Sequence, residues 1–468
     1  MLSDDISPHE ISDSSRLAVI APAGCGKTEA IVQAINHSSG RQLVLTHTHA
    51  GVKSLLNRLR KNNIPPSLYR VETICSFALR LSQYYPKNGD YHIREEEEIE
   101  YLKVLVSANI IVNTTFGKKI IENSYAGLYV DEYQDCTRSQ HQLIDSLSRV
   151  LPTRIFGDPL QGIFDFVKED LVDWDNDVYS SFEIRHLSKP WRWESSNPEL
   201  GLWLSTARER LVSEKYIDFS ALPAGCNWYQ TDRTIQYREC FRALGQGLLV
   251  VAIKKLPAMA HFFAKGLKGR FTSIEEIECK DLIKYCKHFD SLEGNDFIIK
   301  LLEFSEKCIS NVKSELSSIT EIFAQNKESK RLRKHLTIYT NLISIKKNRD
   351  FKVVLIVIDQ IRSIEGAILF RKELFDEMIK CIKEKILNPQ DSLVKISKRI
   401  RGRASLIGRN IPRNLVARPP LIKGLQFNHS IVLDADELNL KELYVSITRG
   451  TDRLTVFSRS SFKDFNSQ

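Results

Sequence analysis

The run Ala21-Pro22-Ala23-Gly24-Cys25-Gly26-Lys27-Thr28 combines two glycines, a lysine and a hydroxyl in an order suited to holding phosphate. Gly24 and Gly26 let backbone N–H groups close on anionic oxygens, Lys27 reaches β/γ-phosphates, and the Thr28 hydroxyl holds Mg²⁺. The run follows the apolar stretch Leu17–Ile20 and precedes Glu29–Ile35, whose spacing is helical. A helix starting there aims its dipole and free amides at the same anion. Position 21 is Ala where the general phosphate-loop pattern carries Gly. A second constellation is Leu128-Tyr129-Val130-Asp131-Glu132-Tyr133-Gln134-Asp135. A strand ending in two carboxylates beside a phosphate loop supplies a Mg²⁺ ligand in Asp131 and a base for an attacking water in Glu132. ATP and Mg²⁺ are the expected ligands.

Such groups must be brought together by a scaffold. Leu17–Ile20, Gln42–Thr46, Leu128–Val130 and Arg154–Phe156 read as short buried strands between helical segments, the pattern of a parallel sheet covered on both faces. Ligands then gather at the strands' carboxyl ends, where the phosphate loop, Asp131-Glu132 and Gly157-Asp158 all fall. A second α/β unit begins near 225, with strand candidates Leu248–Ile253, Ser430–Leu433 and Leu454–Phe457; a lysine-rich helical stretch interrupts it from about 275 to 410. Val353–Ile358 reads as a buried strand or helix segment.

The chain has 468 residues, 27% of them charged, and a net charge of +9, which permits contact with nucleic acid but does not require it. Nine cysteines without a C-x-x-C pair point to a reducing compartment rather than a zinc site. The acidic start Met1–Asp5 lacks a signal core, and no apolar run approaches a bilayer's span. A cytoplasmic protein without a membrane partner is the expectation.

Asp131-Glu132-x-Gln134-Asp135 resembles motif II of the UvrD/Rep/PcrA-like superfamily 1A helicases, and other segments match in that family's order. Thr46-His47-Thr48-His49-Ala50 resembles motif Ia and Thr73-Ile74-Cys75-Ser76-Phe77 motif Ib. Phe156-Gly157-Asp158-Pro159-Leu160-Gln161 through Phe166 resembles motif III, and Leu187-Ser188-Lys189-Pro190-Trp191-Arg192 motif IV. Ile422-Lys423-Gly424-Leu425-Gln426-Phe427 resembles motif V, and Leu443–Gly450 motif VI. The resemblance implies an α/β fold of two RecA-like parallel-sheet domains (a P-loop NTPase), each with a mainly helical insertion. The implied boundaries are 1–83 with 121–220, and 221–274 with 411–468, for the two RecA-like domains. Residues 84–120 would form a small helical insertion and 275–410 a reduced one.

It further implies roles for residues. Gln161 and Arg192 would address the γ-phosphate, Arg449 would be the arginine finger, and Trp191 would stack on the base. Gly424 and Gln426 would lie at the nucleotide. His47, Thr48, Thr73, Phe77, Phe164 and Phe166 would face DNA, single-stranded or partly duplex, with movement 3′→5′. Basic runs at Lys327–Lys334 and Lys395–Arg403 suit either phosphate tracking or a solvated helix face. The pattern departs from the family in four respects. Met1–Ile20 contains no Gln; Gln426 replaces a common Glu; His49 and Cys75 replace residues often seen as Asn and His; and both insertions are short. Compact members of this size resemble the helicase-like subunit of Gabija-type anti-phage systems, whose partner is a nuclease. A regulatory subunit gated by nucleotide or DNA ends, and an RNA motor, stay open beside a DNA translocase.

Overall fold

The computed structural model describes residues 5–85, 100–163, 169–253, 257–276, 279–327, 334–407 and 411–466. Six parallel strands form the first sheet: β1 (Arg16–Ile20), β2 (Gln42–Thr46), β3 (Tyr69–Thr73), β4 (Gly127–Val130), β5 (Thr153–Gly157) and β6 (Glu183–His186), in the order β3-β2-β4-β5-β1-β6. Side chains alternate across a strand, and β1 uses both faces. Ala18 and Ile20 join a core with Phe77 and Leu143, while Leu17 and Val19 join one with Ile31 and Ile35 on the other side. This two-sided burial explains why the central strands read as continuous apolar runs.

After the short β7 (Tyr216–Asp218), the second sheet is built from β8 (Asn227–Gln230), β9 (Leu249–Ala252), β10 (Thr272–Ser273), β13 (Asn414–Ala417), β14 (Phe427–Val432) and β15 (Gly450–Ser458). Its order is β10-β13-β9-β14-β15-β8, again parallel throughout. Two antiparallel pairs complete the strands: β11 (Ile309–Ser310) with β12 (Ile368–Leu369), and β7 with β16 (Phe462–Asp464). The fold is therefore α/β with two RecA-like parallel sheets. The helix Tyr101–Asn113 is not set apart from the first sheet: its Val104, Leu105, Ala108 and Val112 share a core with Phe77 and Leu147.

Between β10 and β13 the described residues form seven helices, from Lys280–Ser291 to Leu393–Ile407, around a core of their own. The stretch Val353–Ile358 is helical, within Phe351–Arg362, and Val354, Val357, Ile358 and Ile361 point inward at helical spacing. Ions tie this bundle to the second sheet. Arg371, 2% exposed, holds Glu275 just past β10 through two bonds of 2.8 and 2.6 Å, and also Asp281 at 2.9 Å. Arg371→Ala would take the guanidinium away from a buried carboxylate, so a loss of up to about 3–5 kcal/mol in denaturant-unfolding free energy is expected. Among the described residues no single helix is long and apolar enough to cross a membrane.

Candidate nucleotide site between the two sheets

The order β4-β5-β1 places three strand ends side by side, so the loop after β1, the acids after β4 and the turn after β5 converge. The loop after β1 is pinned by Ala21 N donating to Gly157 O at 2.9 Å. Gly24 and Gly26 sit at φ +77 and +80, the left-handed region glycine adopts without strain. A Cβ on Gly24 would also lie 2.5 Å from Trp193 Cζ3, so this position has no room for a side chain. Gly26 caps the helix Lys27–His37, whose first amides face the loop. Thr28 is the half-buried second residue of that helix.

Lys27 Nζ lies 2.7 Å from Glu132 Oε2 and 3.8 Å from Asp131 Oδ1. Burial works against the ammonium's charge, but Glu132 and Asp131 more than offset it and raise its pKa. Burial pushes Asp131 up to about 6 against the pull of Lys27. Burial would raise Glu132 too, yet Lys27 and Lys423 hold it down at about 2. Glu132 also sits in the left-handed region, at φ 57, which turns its carboxylate into the cleft. A non-glycine residue held there stores strain of order 1–3 kcal/mol, and such residues cluster at functional sites.

The second sheet's segments reach across to this cluster. Tyr444 Oη accepts from Ala23 N at 3.2 Å, and Thr448 O accepts from Arg192 Nη1 at 2.8 Å. Arg449 is 1% exposed and donates to neutral oxygens: Val445 O at 2.8 Å, Leu425 O at 3.2 Å and Thr448 Oγ1 at 2.8 Å. Burial, then Arg192, push the Arg449 guanidinium down to about 9, while the Glu132 carboxylate pulls the other way. Glu132 thus acts on Lys27 and Arg449 alike. Among the described residues, the buried Arg192 Nε has no hydrogen-bond partner. A glycine cradle, the half-buried Lys27 and Arg192, and the buried Arg449 form a donor set that fits a polyphosphate. Asp131 and Thr28 supply the oxygens Mg²⁺ prefers.

Lys423, before β14, forms a buried ion pair with Asp135. Burial pushes Asp135 up to about 7 and lowers Lys423, with their mutual attraction opposing both shifts. Burial thus favours the neutral Asp135 carboxyl, so the pair between the two halves weakens as pH falls. Hydrolysis at saturating nucleotide is expected to fall as pH drops through about 7, and Asp135→Asn is expected to remove that limb from the pH profile of kcat.

The other sequence-picked residues divide. Trp191 is 52% exposed and packs its Cδ1 edge against Gly26, and Lys189 Nζ lies 3.5 Å from its ring centre. Gln161 is buried, with its amide donating to Asp158 Oδ2 at 3.0 Å. Gly424, φ +78, forms the turn before β14, and Gln426 beside it is exposed. Two of the residues expected to face DNA are corrected. Phe77 has no exposed surface: with Ile74, Ala78 and Leu81 it forms the inner stripe of the helix Ile74–Tyr84. Thr73 is 4% exposed and caps that helix, accepting from Ser76 N at 3.0 Å. Thr48 is exposed and caps the helix His49–Lys61. His47, at the end of β2, has Nε2 3.5 Å from Cys136 Sγ and is held neutral, at about 4, by burial and by Lys423. Phe164 and Phe166 lie outside the described residues. In the basic runs, residues 328–333 lie outside the described residues; of the described ones, Lys395 and Arg399 pair with Asp391, Arg401 with Glu373 and Glu377, and Lys334 with Glu315. Sequence reasoning missed Arg208, which pairs with Asp158 at 3.0 Å and has no motif of its own.

Residues 7–167 match a family described as an AAA domain, and this stretch carries both the phosphate loop and the Asp131-Glu132 strand end. No curated protein matches the chain. Among solved structures it is similar to the PRRSV helicase (9% identity, covering 97% of this chain and 54% of that one, TM-score 0.35). It is also similar to an arterivirus nonstructural protein 10 helicase in complex with DNA (9% identity, 94% and 60% covered, TM-score 0.37). A third is Pif1 of Bacteroides sp. in complex with ADP-AlF4 (16% identity, 54% and 53% covered, TM-score 0.32). The chain thus spans 53% to 60% of the length of these solved chains.

Proposed function

We propose that this chain is a superfamily 1 helicase-type motor that couples ATP hydrolysis to movement along single-stranded DNA, with the UvrD-like 3′→5′ polarity. One observation carries the reading: groups from both sheets meet at one phosphate loop, with Tyr444 on Ala23 N and Arg192 on Thr448 O, beside buried Arg449. A site shared between two lobes can convert a change at the terminal phosphate into relative motion of those lobes. Asp131 and Thr28 would hold Mg²⁺, which when bound neutralises phosphate charge. Lys27 then leaves Glu132 for the phosphates, and Glu132, freed of its ion pair, becomes basic enough to take a proton from water. Arg192 and Arg449 stabilise negative charge that grows in the transition state. Trp191, exposed beside Gly26, offers a face to the base.

The test is phosphate release by the purified chain with no nucleic acid, with single-stranded DNA, with matched RNA and with blunt duplex. Strong stimulation by single-stranded DNA supports the motor; hydrolysis indifferent to every strand would refute it. Preference for RNA would reassign the track. A second reading is a nucleotide-gated subunit that binds and activates a nuclease. It draws on Tyr84, Tyr101, Leu102, Val106 and Phe116, each 47% to 70% exposed, which give the first lobe an apolar face for a protein partner. Robust unwinding by the isolated chain would count against it.

A further inference from the structure

Arg208 is a half-buried cation, 17% exposed at its side chain, that the phosphate chemistry proposed above does not use. It lies on the helix Pro198–Ser213, whose Leu200, Leu204, Ala207 and Leu211 share a core with Val250, Ala252 and Leu415 of the second sheet. Its Nη2 donates to Asp158 Oδ1 at 3.0 Å, across to the end of β5 in the first sheet. Its guanidinium also borders a cavity of about 270 Å³ behind the phosphate loop, lined by Pro22, Cys25, Tyr444 and Thr448 among others.

From Asp158 an unbroken series of hydrogen bonds leads to the base. Asp158 N donates to Gln134 Oε1 at 3.1 Å, Gln134 Nε2 donates to Glu132 Oε2 at 2.5 Å, and Lys27 holds the same oxygen at 2.7 Å. Gln134 is 1% exposed. The position needs an acceptor at one end and a donor at the other, which an amide supplies and a carboxylate does not. Gln134 is oriented only while Asp158 stays in place. Asp158 has no exposed surface, and its carboxylate is held by Leu160 N, Gln161 Nε2 and Arg208. Of these three, Arg208 alone comes from the helix packed on the second sheet. Withdrawing it leaves a buried carboxylate without its counter-charge, which the turn after β5 can relieve only by moving.

We propose that Arg208 is a positioning residue: through Asp158 and Gln134 it aims Glu132, so that the base is correctly placed only when the second lobe is seated on the first. The proposal rests on the ATP-hydrolysing reading above and adds to it a means by which lobe closure licenses hydrolysis. Lys27 would bind phosphate either way; Arg208 would decide whether the water is activated.

The experiment is a double-mutant cycle on the full chain, Arg208→Met and Gln134→Leu, with kcat and KM for ATP measured at saturating single-stranded DNA. Each single variant is expected to lose kcat by about 100-fold, the effect of misplacing a catalytic group by on the order of 1 Å, with KM little changed. The double variant is expected to be no worse than the poorer single one, and Arg208→Lys to recover part of the loss. Losses that multiply, or a risen KM with kcat retained, overturn the relay. If Arg208→Met does not fold, Asp158→Asn takes its place in the cycle with the same expectation, since it removes the charge and keeps the shape. An unmodified chain that hydrolyses no ATP overturns both this relay and the reading beneath it; an active one with multiplying losses overturns the relay alone.

Discussion

Glu132→Gln is expected to lower kcat for ATP hydrolysis by a factor of about 10²–10⁴, the range general-base catalysis supplies, while nucleotide still binds. The amide keeps the side chain's size and its place beside Gln134, 2.5 Å away, but cannot accept a proton from water. Lys27→Ala is expected to lose binding as well, because the buried ammonium is the strongest cation at the loop. The two variants separate through Glu132's own electrostatics. With Lys27 at 2.7 Å the carboxylate is held at about 2, too acidic to be a useful base. On the proposed reading, phosphate must draw Lys27 away before Glu132 can act, so the resting ion pair would keep the base idle until substrate arrives. Fluorescent-nucleotide binding together with phosphate release distinguishes the outcomes. Unchanged turnover in Glu132→Gln would remove this carboxylate from the chemistry.

The phosphate loop and the acidic strand end were legible because the residues of each are adjacent in the chain. A phosphate loop needs two glycines, a lysine and a hydroxyl within eight positions, and central strands buried on both faces announce themselves as Leu17–Ile20 or Leu128–Val130 do. Edge strands were not legible. β6, Glu-Ile-Arg-His, and β8, Asn-Trp-Tyr-Gln, are mostly exposed or half-exposed, so no apolar run marks them. β10, at the other edge of the second sheet, is two residues long. Motif position misled where one segment serves two ends: Thr73 and Phe77 sit in a matched run, but helical spacing of Ile74, Phe77, Ala78 and Leu81 already placed Phe77 inward. The lobe-spanning groups were the hardest to see. Arg208 meets Asp158 over fifty positions and Lys423 meets Asp135 over nearly three hundred, and a single sequence carries no signal for such pairings. Arg371 with Glu275 is a similar case, one end lying in a segment that looked only like the opening of an insertion.

Arg449→Lys is expected to lower kcat by about 10³-fold or more, the scale at which an arginine finger contributes, with nucleotide affinity changed only a few-fold. The substitution isolates geometry from charge. Arg449 spreads its guanidinium over Val445 O, Leu425 O and Thr448 Oγ1, so its fork is fixed before any ligand arrives. Lysine keeps a positive charge but has no planar fork, and it cannot reproduce three fixed directions at once. Arg449→Ala would be a poorer probe, since it takes donors from Leu425 O and Val445 O at a residue 1% exposed and invites a folding loss of about 1–3 kcal/mol. Burial and neighbouring Arg192 hold the guanidinium at about 9, still charged at neutral pH but destabilised until negative charge appears beside it. That is the condition under which a cation favours a transition state over a ground state: it gains most where charge develops, and less where substrate merely sits. A Lys variant that hydrolyses ATP at the unmodified rate, while melting at the same temperature, would show that Arg449 holds the second lobe together and does not reach the terminal phosphate.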